Sequence, residues 1–218
     1  MKKLNISLIL NILIVILVII FTLFMVLDIH FMKEVKLLEV NSLENFKFFT
    51  VDSNVLMGII SLTMIIYELK LKNNKIKEIP KYIYILKMVG VSAISLTFIV
   101  TLFFLSPMYG FYAMYNNSNL FFHLIIPLLS IISYIFYEKY NNKYKYAVFG
   151  IIPMFVYGII YATNILVRLN TDGLTFKYDF YGFLQGNINN IYFVVPTIII
   201  ISYLISLLLV YLNKKFSK

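Results

Sequence analysis

The chain has 218 residues, of which 61% are apolar or aromatic and 13% charged, with a formal net charge of +9. A water-soluble domain is about half apolar and about a quarter charged, so this excess cannot be buried in one soluble core and has to face lipid. Cysteine is absent, which excludes a disulfide framework, a thiolate nucleophile and a cysteine metal site.

The first apolar run is Ile6–Leu27, preceded by Lys2 and Lys3. It is longer than the roughly 7–15 residues of a signal-peptide core and ends in Asp28-Ile29-His30 rather than in small residues, so it reads as an uncleaved helix. Further runs follow at Phe48–Leu69, Tyr82–Leu105, Asn119–Tyr137, Tyr146–Val167 and Ile191–Leu212. Each is near the roughly 20 residues that cross a bilayer as a helix. The expected fold is all-α, a single integral membrane bundle of six transmembrane helices.

Lysine positions orient this bundle. With the N-terminus inside, the cytoplasmic segments carry Lys2, Lys3, Lys70, Lys72, Lys75, Lys77, Lys81, Lys139, Lys143, Lys145, Lys214, Lys215 and Lys218. The outer segments carry only Lys33, Lys36, Lys47, Arg168 and Lys177. Thirteen against five in short loops is a positive-inside bias, so both termini are expected in the cytoplasm and 106–118 outside. Lys87 falls inside the third span, close enough to its inner end to snorkel. Basic loops facing anionic headgroups account for the net charge, and no nucleic-acid recognition module is present. Nearly all the basic residues are Lys, and the chain is rich in Ile, Asn, Tyr and Phe. That usage points to an AT-rich genome and hence to a bacterial plasma membrane.

Polar residues inside spans are costly, so their placement is informative. In this topology Thr50, on the second helix, and His123, on the fourth, lie at similar depth, about one turn below the outer surface. Thr50, Ser53, Asn54 and Met57 share a helix face, as do Asn119, His123 and Pro127. Asp52 lies about 200° around the helix from Thr50. Asp28, His30, Asn164, Arg168, Asn187, Asn189 and Asn190 are expected in the same layer, whereas the inner halves of the spans read as plainer, with Ser and Thr that pack helices. Thr50 alone could be a helix cap and His123 an interfacial residue. Together they suit nucleophilic attack on an acyl carbon, with the Thr hydroxyl as nucleophile and the imidazole as base. Asn54, Ser53 or the first N–H groups of the second helix are candidate oxyanion donors. Asp52 and Asn119 are candidate partners to orient His123.

Two segments carry a family resemblance. Phe46-Lys47-Phe48-Phe49-Thr50, continued by Val51-Asp52-Ser53-Asn54, and His123-Leu124-Ile125-Ile126-Pro127 resemble motifs of the androgen-induced family of multi-pass membrane proteins. That family includes the androgen-dependent tissue-factor-pathway-inhibitor-regulating protein, and bacterial six-helix membrane proteins look related to it. The resemblance implies a threonine hydrolase of fatty acid esters, with catalytic Thr and His roles falling on Thr50 and His123. Where the animal family is His-rich near the end of the fifth helix, this chain has Asn164 and Arg168.

The leading expectation is therefore a hydrolase of lipid esters or a small apolar substrate near the outer leaflet, with membrane lipid as its partner. A small six-helix solute-binding or transport subunit is the alternative, although Ile6–Leu27 lacks the Ala or Gly expected of a docking helix. A non-catalytic membrane protein is a further reading. No phosphate loop, dinucleotide glycine pattern or His-Glu-x-x-His is present, so no cofactor is expected. Two histidines without cysteine argue against a metal site.

Overall fold

The computed structural model describes residues 2–33, 42–138, 143–173, 175 and 177–217. Lys36, Lys139 and Lys218, used above to orient the chain, lie outside them. Among the described residues there is no strand, and six helices are long and apolar enough to cross a membrane. They are α1 (Lys2–Val26), α2 (Phe49–Lys72), α3 (Lys81–Tyr109), α4 (Ser118–Tyr137), α5 (Tyr144–Leu169) and α6 (Ile188–Phe216). Each matches an expected span to within about one turn.

The helix α3 is central, packing against α2, α4, α5 and α6, while α1 packs on α2 and α4. Its run Val91–Thr97 is buried continuously. Around it Ile14, Met57, Met88, Val91, Ile94, Phe122, Ile126 and Tyr134 form the core. The faces of α1, α5 and α6 turned away from it expose Ile16, Ile19, Phe155, Ile160, Ile200 and Leu204, as a lipid-facing surface requires. Small residues allow close approach where three helices meet. A Cβ on Gly150 would lie 1.7 Å from Ser206 Oγ and 2.8 Å from Ser92 Oγ, and these two hydroxyls share a 2.7 Å hydrogen bond.

The Lys3 ammonium donates to the Ser217 carbonyl at 3.3 Å, so the two chain termini share one end of the bundle, here the terminal end. The expectation of plain spans at this end is corrected by the structure. Lys87 is 0% exposed and does not snorkel. Its ammonium pairs with Glu138 at 3.1 Å, donates to Asn11 Oδ1 and reaches Ser61 Oγ at 3.3 Å. Glu68, also buried, accepts from Ser7 Oγ and from the Asn11 amide at 3.4 Å. The Asn213 amide on α6 donates to the Tyr134 and Glu138 carbonyls at 2.6 and 2.9 Å. Lys87 stays inside because this network meets its charge and hydrogen bonds in place, which removes the need to reach water.

At the opposite end the connections fold over the helices. Asn117 Oδ1 accepts from the Phe31 and Met32 N–H groups at 2.9 and 2.7 Å, and the Asn116 amide donates to the Lys33 carbonyl at 2.8 Å. This straps the exit of α1 across the start of α4. Between α5 and α6, buried Asp179 accepts from the Phe183 and Leu184 N–H groups and from the Tyr161 hydroxyl.

Candidate functional site

Helix α2 begins without a side-chain cap. Its N-cap is Phe48, which has no side-chain cap hydrogen bond, so Thr50 is not a capping residue. The N–H of Phe49 instead donates to the Tyr181 hydroxyl at 2.8 Å. Burial holds that hydroxyl up to about 12, so it stays protonated. The Tyr157 hydroxyl donates to the Lys47 carbonyl at 2.6 Å, which fixes the entry to α2 against α5. With these contacts made by the tyrosines, Thr50 borders open space.

That space is two cavities. One, of about 280 Å³, has a mixed lining and lies at the opposite end, where Thr50 and His123 both line it together with Asp28, His30, Asn117 and Asn119 and with apolar side chains such as Phe24, Met25 and Phe180. The second, of about 170 Å³, lies between α2, α3, α5 and α6 and is lined mainly by hydrophobic side chains, among them Leu96, Met154, Ile191 and Val195. Thr50, Leu105 and Tyr181 line both, so Thr50 stands in the partition between a mixed chamber and an apolar one.

His123 is buried within a π-turn, Phe121–Ile125, at the outset of α4. Its Nδ1 lies 2.6 Å from the Met114 carbonyl oxygen. A carbonyl can only accept, so Nδ1 carries the proton and Nε2 keeps its lone pair. The ring of Tyr115 meets the imidazole edge-on at a centroid distance of 6.2 Å. The π-turn also has a consequence for the backbone. In its i→i+5 register the Ile126 N–H bonds the Phe121 carbonyl, and the next donor, for Phe122, would be Pro127, which has no N–H. The Asn54 amide fills that position, donating to the Phe122 carbonyl at 3.0 Å and to its own helix's Thr50 carbonyl at 2.7 Å. One side chain thus clamps the backbone beside His123 to that of Thr50.

The expected site residues divide accordingly. Thr50 and His123 share a cavity. Asn54 and Ser53 are buried but line neither cavity. Asn54 is the clamp, and Ser53 Oγ is held by the Thr50 carbonyl at 3.1 Å and Thr97 Oγ1 at 2.9 Å. Asp52 is exposed on the other side of α2 and lines neither cavity. Asn119 lines the cavity that holds His123 but is exposed and is not the group that orients His123. Asn119 and His123 nevertheless line the same cavity, as their spacing of four predicted. Asn164 and Arg168 are exposed on α5, and Asn187 caps its own turn by accepting from the Asn189 N–H at 3.0 Å. The orienting group, the Met114 backbone carbonyl, has no side-chain signature that a sequence could display. Among the described residues no group of three or more His, Cys, Asp or Glu is placed to hold a metal ion.

No family model, curated protein or solved structure matches the chain. The resemblance of Phe46–Asn54 and His123–Pro127 to the androgen-induced family therefore rests on those two segments.

Proposed function

We propose that the protein is a multi-pass membrane hydrolase that cleaves a fatty acyl ester with Thr50 as nucleophile and His123 as base. The observation that carries the reading is the position of Thr50, which lines both the cavity that holds His123 and an apolar cavity suited to an acyl chain. Thr50 Oγ1 attacks the ester carbonyl carbon while His123 Nε2 takes its proton. Collapse of the tetrahedral intermediate breaks the bond to the alcohol oxygen, and the proton on Nε2 leaves with the alcohol. Water, entering from the polar side, then cleaves the acyl-threonine with His123 again as base. The lysine bias puts the terminal end in the cytoplasm, so the site lies just below the outer surface of a cell membrane, taken as bacterial from the residue usage. At that depth ester carbonyls meet both water and hydrocarbon.

A transport subunit is the second reading, and the buried Lys87–Glu138–Glu68 network supports it, because ionisable groups inside a bundle often mark an ion path. One experiment separates the two. The purified protein in detergent is treated with an alkyl fluorophosphonate and assayed on medium-chain esters. Wild type reacts and turns over; Thr50→Ala does neither; Thr50→Ser keeps part of both; His123→Ala loses about 10²- to 10⁴-fold in rate. Labelling of Thr50→Ala at the wild-type rate rejects the nucleophile.

A further inference from the structure

Helices α5 and α6 touch mainly near the terminal end. Most of the contact between them is made by residues 144–151, where Ser206 comes so close to Gly150 that a Cβ would overlap it. Further along α5, a Cβ on Gly158 would meet no atom within 4 Å. At the opposite end the gap is bridged again. There the connection between the helices packs Tyr178 and Leu184 on Ile165 of α5, with Ile191 of α6 against them. The apolar cavity of about 170 Å³ occupies the interval between these two closures, and Gly158 is part of its wall.

With both ends closed, the cavity opens sideways. Phe155 and Ile159, one turn apart on α5, border it and are 51% and 52% exposed on a face that the bilayer covers. Met154, Tyr157 and Tyr161 border it from the core side of the same helix. The cavity therefore runs past α5 from the lipid-facing surface into the bundle. On α6 its wall is Ile191, Val194, Val195, Ile198 and Ile199, the spacing of a single helix face, which rises about 12 Å along the axis. In the interior it ends at Phe49 and Thr50 of α2. An alkyl chain moving from the bilayer into this space exchanges one apolar surrounding for another, whereas a hydrated solute would lose its hydrogen bonds to water without replacing them.

We propose that the gap between α5 and α6 is a side entrance through which the acyl chain of a bilayer lipid passes to Thr50. Gly158 keeps it open, because that position in the wall carries no side chain. What happens to the chain at Thr50 rests on the hydrolase reading, while the entrance itself is a matter of binding. The entrance assigns the substrate class: an ester resident in the membrane, with its chain in the apolar cavity and its polar end toward the cavity that holds His123.

The test uses the full-length protein in phosphatidylcholine vesicles that contain a trace of phosphatidylcholine with a diazirine at the end of one acyl chain. On irradiation, wild type should crosslink at the cavity walls, Phe155–Ala162 and Ile191–Ile199. Gly158→Phe and Ala162→Phe each place a ring in the gap from a different turn of α5, so one remains informative if the other fails to fold. Either should lower crosslinking at the walls about tenfold or more, while that of Ile16 and Ile19 on the exposed face of α1 stays constant. Gly158→Ala, too small to fill the gap, should match wild type. In parallel, kcat/KM is measured in detergent on p-nitrophenyl dodecanoate and p-nitrophenyl acetate. The phenylalanine variants should lose about tenfold or more on dodecanoate and stay within about twofold of wild type on acetate, whose acyl group is too short to need the chamber. Wall crosslinking at the wild-type level in both phenylalanine variants overturns the entrance, as does an equal loss on the two esters. A wild type that cleaves both esters but crosslinks only on its outer faces overturns the entrance and leaves Thr50 as nucleophile. A wild type that crosslinks at the walls and cleaves neither ester supports the entrance and overturns the hydrolase reading.

Discussion

The Asn54 side chain occupies the hydrogen bond that Pro127 denies to Phe122. These residues stand on different helices, α2 and α4, and a π-turn makes them complementary: the missing N–H of the proline leaves a buried carbonyl that only a side chain can reach. Asn54→Leu should therefore destabilise the protein by about 1–3 kcal/mol. Restoring an N–H with Pro127→Ala should relieve part of that loss, so the double variant should be more stable than the two single effects summed. Thermal unfolding of the four proteins in one detergent measures the coupling, and strict additivity would refute the clamp.

The buried ion pair makes a sharper claim. Lys87→Met leaves Glu138 as an uncompensated charge inside the bundle and should cost about 3–5 kcal/mol. Adding Glu138→Gln removes that charge and should recover much of the loss. A Lys87→Met protein that unfolds at the wild-type temperature would mean the pair is not formed.

Orientation is open to direct chemistry because the chain has no cysteine. Tyr112→Cys, exposed at the opposite end, should react in intact cells with a membrane-impermeant maleimide. Lys72→Cys, exposed at the terminal end, should react only after permeabilisation. The reverse pattern would turn the bundle over and move the site to the cytoplasmic leaflet.

Two glycines on α5 should respond in opposite ways. Gly150→Ala drives a methyl into Ser206 and Ser92 and should destabilise by about 1–3 kcal/mol or more. Gly158→Ala meets nothing within 4 Å and should be neutral or stabilising by up to about 1 kcal/mol through helix propensity. Equal effects would show that α3, α5 and α6 do not converge at Gly150.

The parts legible in the sequence were those governed by the bilayer. Apolar run length defined all six spans, and the period of α2 put Ser53, Asn54 and Met57 on its buried face beside Thr50. The common cavity of Thr50 and His123 follows from depth, which span order supplies. What escaped was set by pairing between distant helices or by backbone register. Lys87 appears close to a span end, and nothing local indicates that Glu138 neutralises it rather than water. The π-turn at His123 carries no residue signature, yet it leaves the Phe122 carbonyl for the Asn54 amide to reach. The hydrogen bond that orients His123 comes from main chain, to which composition is blind.

The ties of Asn213 also bear on how the chain is made. A ribosome delivers α4 well before α6, and until α6 arrives the carbonyls of Tyr134 and Glu138 lack the Asn213 amide that completes them. A chain with five helices in place thus leaves a polar notch at the end of α4. Seating of the last helix erases it.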